Sequence, residues 1–182
     1  IIYLFLGNIK AVIVPAVALP VSLIASFLGL YLFGLSINIF VLLSFILAIG
    51  IITDDSVIMT DAIYRRIENG ESPLIAAYKG SKQISFAIIA TTLILVAVFI
   101  PLIFIDGIAG TLFRETAIAL SVSVVVSSFV ALTLSPMLAS KFLKKEPKQN
   151  FIVTKFDKFF KSLLKFYEET LGYWLNKKKI II

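Results

Sequence analysis

Residues 11–53 read AVIVPAVALPVSLIASFLGLYLFGLSINIFVLLSFILAIGIIT, from Ala11 to Thr53, without one Asp, Glu, Lys or Arg. A bilayer crossing needs roughly 20 apolar residues as a helix, so this stretch is about two crossings long and must fold back on itself. Gly34-Leu35-Ser36-Ile37-Asn38 is the place for the reversal, because glycine and short polar side chains permit a tight turn. The reading gives one helix over residues 11–33 and a second over 37–64. A closed barrel is the other way to satisfy backbone groups in lipid, but it needs short strands of alternating polarity, and these runs are apolar on every face.

The rest of the chain repeats the pattern. A polar segment over residues 65–83, carrying Gly70 and Pro73, is predicted as a connecting loop, followed by a third span over 84–105, a loop over 106–115 and a fourth span over 117–140. The 182 residues are 59% hydrophobic with a mean hydropathy of +1.02, well above soluble domains. The fold class is therefore all-α: a polytopic transmembrane helix bundle. Pro15, Pro20, Pro101 and Pro136 fall within or near the ends of the spans, where membrane helices kink or stop.

Sixteen of the seventeen Lys and Arg residues fall on one side of this four-span arrangement, and only Arg114 on the other. By the positive-inside rule the basic side is cytoplasmic. The same distribution argues against nucleic acid as a partner despite the net charge of +6, since the cations flank spans and build no basic, aromatic-interleaved surface. With no Cys and no His, disulfides, thiol catalysis and the commonest transition-metal ligands are removed. No cofactor is expected.

Beyond the fourth span, residues 141–176 are predicted as a linker and an interfacial amphipathic helix. Phe156, Phe159, Phe160, Leu163, Leu164, Tyr167, Leu171 and Trp174 recur at helical spacing, with Lys155, Lys158, Lys161 and Lys165 set to meet lipid phosphates. A helix packed on another domain is the alternative. Nothing near Ile1 resembles a signal peptide, so residues 1–8 are expected to end a preceding span and residues 177–182, after the Lys177-Lys178-Lys179 cluster, to begin a next one.

Asp54 and Asp55 are the chemistry-bearing residues. An aspartate near a span centre costs roughly 2.5–3.5 kcal/mol on insertion scales, so a charged pair facing lipid would cost on the order of 5–7 kcal/mol. The pair should face the bundle interior. Neighbouring side chains diverge by about 100° around a helix, so one helix can present two carboxylates to different neighbours. Burial and mutual repulsion both disfavour their charged forms, and they exchange protons as a coupled pair. A span ending at Ile52, with both carboxylates in water, conflicts with the largely apolar residues 56–63 that follow. Gly50, one turn earlier, would let a facing helix approach. Asp61, two turns later on nearly the same face, is either a step on a proton path or a solvated helix end. Two carboxylates without further oxygen ligands make a poor cation cage, so no metal site is expected.

The stretch Leu47-Ala48-Ile49-Gly50-Ile51-Ile52-Thr53-Asp54-Asp55-Ser56-Val57-Ile58-Met59-Thr60-Asp61 resembles the paired-aspartate motif of the resistance-nodulation-division (RND) superfamily, in the multidrug branch of AcrB-like pumps. Phe5-Leu6-Gly7-Asn8, Gly34-Leu35-Ser36-Ile37-Asn38, residues 107–114 and Ser135-Pro136-Met137-Leu138 are similar as well. The resemblance implies a proton-driven secondary transporter of drugs or amphiphiles in the bacterial inner membrane, not an enzyme, with Asp54 and Asp55 as the proton relay. It further implies that this is a fragment of the first membrane half. The partners are then the lipid bilayer, protons, a second membrane half with the lysine that faces the pair, and periplasmic domains. A homotrimer working with an adaptor and an outer-membrane channel is implied too. Where the family has Glu-Asn after the motif this chain has Asp61-Ala62, so that glutamate's role carries over weakly.

A heavy-metal exporter of the same superfamily is the nearest alternative, but that branch typically shows a single aspartate here. Only Met59 and Met137 could act as soft ligands. An intramembrane aspartyl protease needs two aspartates converging on one water from separate helices, which adjacent residues cannot supply. An inactive product of a split or decayed gene is the third alternative.

Overall fold

A computed structural model describes residues 8–144 together with Leu164, Tyr167 and Thr170. Four long helices follow one another: α1 (Ile9–Leu32), α2 (Ile39–Glu68), α3 (Pro73–Phe99), which runs into a 3-10 turn over Ile100–Phe104, and α4 (Gly107–Phe142). All four spans are long and apolar enough to cross a membrane. Even α1, with 24 residues, reaches about 36 Å at 1.5 Å per residue, more than a hydrocarbon core of about 30 Å. There is no strand among the described residues.

The burial pattern shows which solvent the helices are made for. Along α1 small residues, Ala11, Ala18, Ser22 and Ser26, make up most of the inward face beside Val14, Pro15 and Leu30, while Ile24, Leu28 and Leu32 point outward with 62–76% of their surface exposed. In water this arrangement would be inverted. In lipid, large side chains gain nothing by leaving the solvent, whereas small ones let backbones pack closely. Ser26 Oγ donates to the Ser22 carbonyl at 2.7 Å, so its buried hydroxyl is satisfied within the helix.

Both sharp reversals at helix C-termini have the same local chemistry. Gly34 (φ +68°) follows α1, with Leu35 N donating to Leu30 O and Gly34 N to Tyr31 O, both at 3.1 Å. Gly70 (φ +96°) follows α2, with Glu71 N donating to Arg66 O at 3.1 Å and Gly70 N to Ile67 O at 3.0 Å. These are Schellman caps, in which glycine takes the left-handed conformation and terminal carbonyls find donors. Asn38 then starts α2: its Oδ1 accepts from Phe40 N and Val41 N, both at 3.0 Å, while its Nδ2 donates to Glu115 Oε2 of α4. One side chain thus caps one helix and ties it to another. Asn38→Ala should lower stability by about 1–2 kcal/mol, the cost of an N-cap, read as a shifted unfolding midpoint in detergent; an unchanged midpoint would refute the cap's contribution.

Helix α4 is the central element, packed against α1, α2 and α3, and half of its spanning window is buried against 11% for α3. Leu30, Val41, Phe45 and Ala119 form one core cluster, and Ala48, Ile52 and Leu120 another. Phe27 tilts against Phe45 with ring centroids 4.5 Å apart.

Two expectations need correction. The segment over residues 65–83 is not a loop, because α2 continues to Glu68 and α3 begins at Pro73, leaving four residues, 69–72, as the connection. Pro73 occupies a first-turn position where its missing N–H costs nothing. Likewise most of residues 106–115 belong to α4, which starts at Gly107. Polarity marks where a helix leaves the hydrocarbon, not where its hydrogen bonding stops. The segments 1–8, 141–176 and 177–182 lie outside the described residues, apart from Asn8, residues 141–144 and the helical, exposed Leu164, Tyr167 and Thr170.

Candidate functional site

Helix α2 buries one face along its whole length: Val41, Phe45, Ala48, Ile52, Asp55, Ser56, Met59, Thr60 and Ile63 recur at three- and four-residue spacing. Asp55 lies on that face with 9% of its surface exposed, whereas Asp54 lies on the open face. The expectation that both carboxylates face the interior therefore holds for Asp55 alone among the described residues. The 100° step between neighbours divides the pair between two environments.

Asp55 belongs to a seam of small hydroxyls between α2 and α4. Ser127 Oγ donates to the Ile52 carbonyl at 3.2 Å, and Ser135 Oγ donates to Ser56 Oγ at 3.4 Å. Thr60 Oγ1 donates back to the Ser56 carbonyl at 2.7 Å. Ser127 and Ser135 are fully or almost fully buried, as are Ser56 and Thr60. Two turns separate Ser127 from Ser135, so α4 meets the residues on either side of Asp55 with hydroxyls at helical spacing. Sequence reasoning missed these residues. The available signal was the repetition of serine at 123, 127 and 135 in an otherwise apolar span.

Gly50 and Asp54 share the open face of α2, bordered by Leu47 and Ile58, which are 64% and 50% exposed. A Cβ placed on Gly50 would meet nothing within 4 Å, so no described helix uses the close approach that the glycine allows. Asp61 is held by Arg65 at 2.9 Å, an (i, i+4) pair at the basic end of the helix. Among the described residues no salt bridge joins a Lys or Arg to Asp54 or Asp55, whereas Asp61 pairs with Arg65 and Glu71 with Arg66 and Lys79. No group of three or more potential ligands for a metal ion occurs among them either.

The sequence matches the model of the AcrB/AcrD/AcrF family over residues 1–182, its full extent. The chain belongs to that family. It is accordingly a multi-pass membrane chain of an RND-type transporter. Asp54, Asp55, Gly50 and Asp61 all lie on one helix of that bundle, but the helix presents them to different surroundings.

Proposed function

We propose that the chain supplies the proton-relay part of a proton-driven exporter of drugs or amphiphiles, with Asp54 and Asp55 as the proton-carrying groups. The observation that carries the reading is the division of two adjacent carboxylates between a buried hydroxyl seam and an open helix face. Asp55 is buried on the face of α2 where its near neighbours Ile52 and Ser56 accept hydrogen bonds from α4 serines. Asp54 faces outward beside Gly50, where a further helix bearing a cation can approach closely. Protonation cancels the attraction to such a cation, and the difference in interaction between the two protonation states is what shifts the helices. Asp61, paired with Arg65, stands at the basic mouth of the same helix. Efflux of a fluorescent amphiphile from proteoliposomes with an imposed pH gradient tests the proposal; transport that ignores the gradient refutes it.

In this reading the protein sits in the bacterial inner membrane and works as a homotrimer with an adaptor and an outer-membrane channel. The charge distribution supports the orientation: of the eight described Lys and Arg residues, all but Arg114 cluster at the end that holds the α2–α3 connection. Single cysteines at Asn69 and Asp106, both exposed, should therefore be distinguished by an impermeant thiol reagent in spheroplasts. Labelling at Asp106 alone is expected, and labelling at Asn69 alone reverses the topology.

A further inference from the structure

The outward face of α3 changes chemistry along its length. Leu74, Tyr78, Lys82 and Phe86 lie four residues apart and are all exposed, so they form one row on the helix, and Ile89 and Leu93 carry the row into the span. Residues 84–105 contain no Asp, Glu, Lys or Arg and reach about 33 Å as a helix, a full hydrocarbon thickness. Lys82 is therefore the last cation before the hydrocarbon, at the depth of lipid phosphates. Phe86 sits about one turn deeper and Tyr78 about one turn nearer water.

Lys82 differs from the cations around it. Among the described residues Arg65 pairs with Asp61, and Arg66 and Lys79 pair with Glu71, but no carboxylate pairs with Lys82. The adjacent Gln83 accepts from Arg66 at 2.7 Å and so belongs to the α2 side, which leaves Lys82, about 100° around the helix, on the uncovered side. Tyr78 and Phe86 stand 69% and 81% exposed to either side of it, and α3 is the least buried of the four spans. A cation without a carboxylate, framed by two exposed rings at phosphate depth on a face open to lipid, is complementary to an anion carried by lipid.

We propose that this row seats an anionic phospholipid, its phosphate against the Lys82 ammonium, its glycerol backbone beside Phe86 and its acyl chains over Ile89 and Leu93. The long apolar stem of lysine lets the ammonium reach up to the phosphate while the stem stays in the hydrocarbon border. A zwitterionic lipid brings its own cation beside its phosphate and has no net charge to be drawn to Lys82, so the anionic class is selected. An acidic segment of a partner protein is the competing occupant, and it would exclude lipid from the row. The proposal does not rest on the aspartate relay.

The chain has a single tryptophan, Trp174, so Trp174→Phe combined with Phe86→Trp leaves one fluorophore, placed in the row. In phosphatidylcholine vesicles, its quenching by brominated phosphatidylglycerol against brominated phosphatidylcholine reports the lipid beside it. Phosphatidylglycerol should be favoured about fivefold, the scale of one basic residue near an anionic surface. Lys82→Gln should remove the preference, whereas Lys144→Gln, which takes one exposed charge from elsewhere, should leave it. With Phe104→Trp in place of Phe86→Trp, at the exposed far end of the same span, no such preference should appear. A preference that survives Lys82→Gln, that Lys144→Gln removes equally, or that is equal at both tryptophan positions overturns the proposal. Absence of quenching by either lipid at position 86 overturns it by showing a protein-covered row. Relief of quenching by soluble glycerol phosphate overturns it by showing a free-phosphate site.

Discussion

Asp55→Asn is expected to reduce gradient-driven export to background while leaving insertion and expression intact. The two halves of that outcome have separate physical origins. Asparagine is close to isosteric, and the hydrogen bonds of Ser127, Ser135 and Thr60 run to Ile52 and Ser56 rather than to the Asp55 carboxylate, so the packing of α2 on α4 has no reason to change. It also carries no charge, which removes a contribution of roughly 2.5–3.5 kcal/mol that opposes insertion of an ionised aspartate. What it cannot do is bind and release a proton. Asp54→Asn should give the same functional loss from the open face of the helix, where no described side chain depends on it. Dye efflux from proteoliposomes with an imposed pH gradient, alongside immunoblots of membrane fractions, measures both halves. Full export by both variants would remove the pair from the mechanism.

A large stability effect is expected at Gly80. A Cβ there would sit 2.9 Å from Ile63 Cγ1, 3.2 Å from Ile63 Cα and 3.3 Å from Ile63 N. The side-chain atom can rotate away, but the backbone of α2 cannot. Gly80→Val must therefore push α3 off α2, with a loss of about 1–3 kcal/mol or somewhat more from overpacking. Gly50→Ala is the control: its new methyl meets nothing within 4 Å, and removing a mid-helix glycine contributes about 0.5–1 kcal/mol in favour of the helix. Unfolding midpoints in mixed detergent micelles should fall for Gly80→Val and hold or rise for Gly50→Ala. If Gly50→Ala keeps its stability but loses export, the open face is where the transporter needs room. A stable Gly80→Val variant would mean that α3 is not held where the packing places it.

The spans and their basic flank were legible because both follow from composition along the chain: residues 11–53 can only be crossings, and Arg114 is isolated among the cations. The position of the aspartate pair inside a span was legible because the apolar residues on both sides of it continue one helix. The ends of α2 and α3 were not. Arg65 and Lys79 look like loop residues on a hydropathy profile, yet they continue helices past the hydrocarbon, and only the cap at Gly70 reports where α2 stops. The division of Asp54 from Asp55 was hidden for a different reason. In lipid both faces of a helix are apolar, so periodicity cannot say which is inside. The contacts of Arg66 with Glu71 and Gln83 join residues 5 and 17 positions apart, a closeness created by the hairpin.

The contact line between α2 and α4 has a mechanical consequence. Ser127 and Ser135 meet the backbone of Ile52 and the hydroxyl of Ser56, with fully buried Ala48 and Ala131 on the two helices. Interlocking leucines would give such a surface deep corrugation, with each axial step requiring ridges to climb over one another. Serine and alanine give shallow relief, and a hydroxyl that lets go of one oxygen can find the next along the helix. The strip around Ser127 and Ser135 is thus smooth and lightly sticky, while the cluster of Ile52 and Leu120 beside it holds the two helices in register.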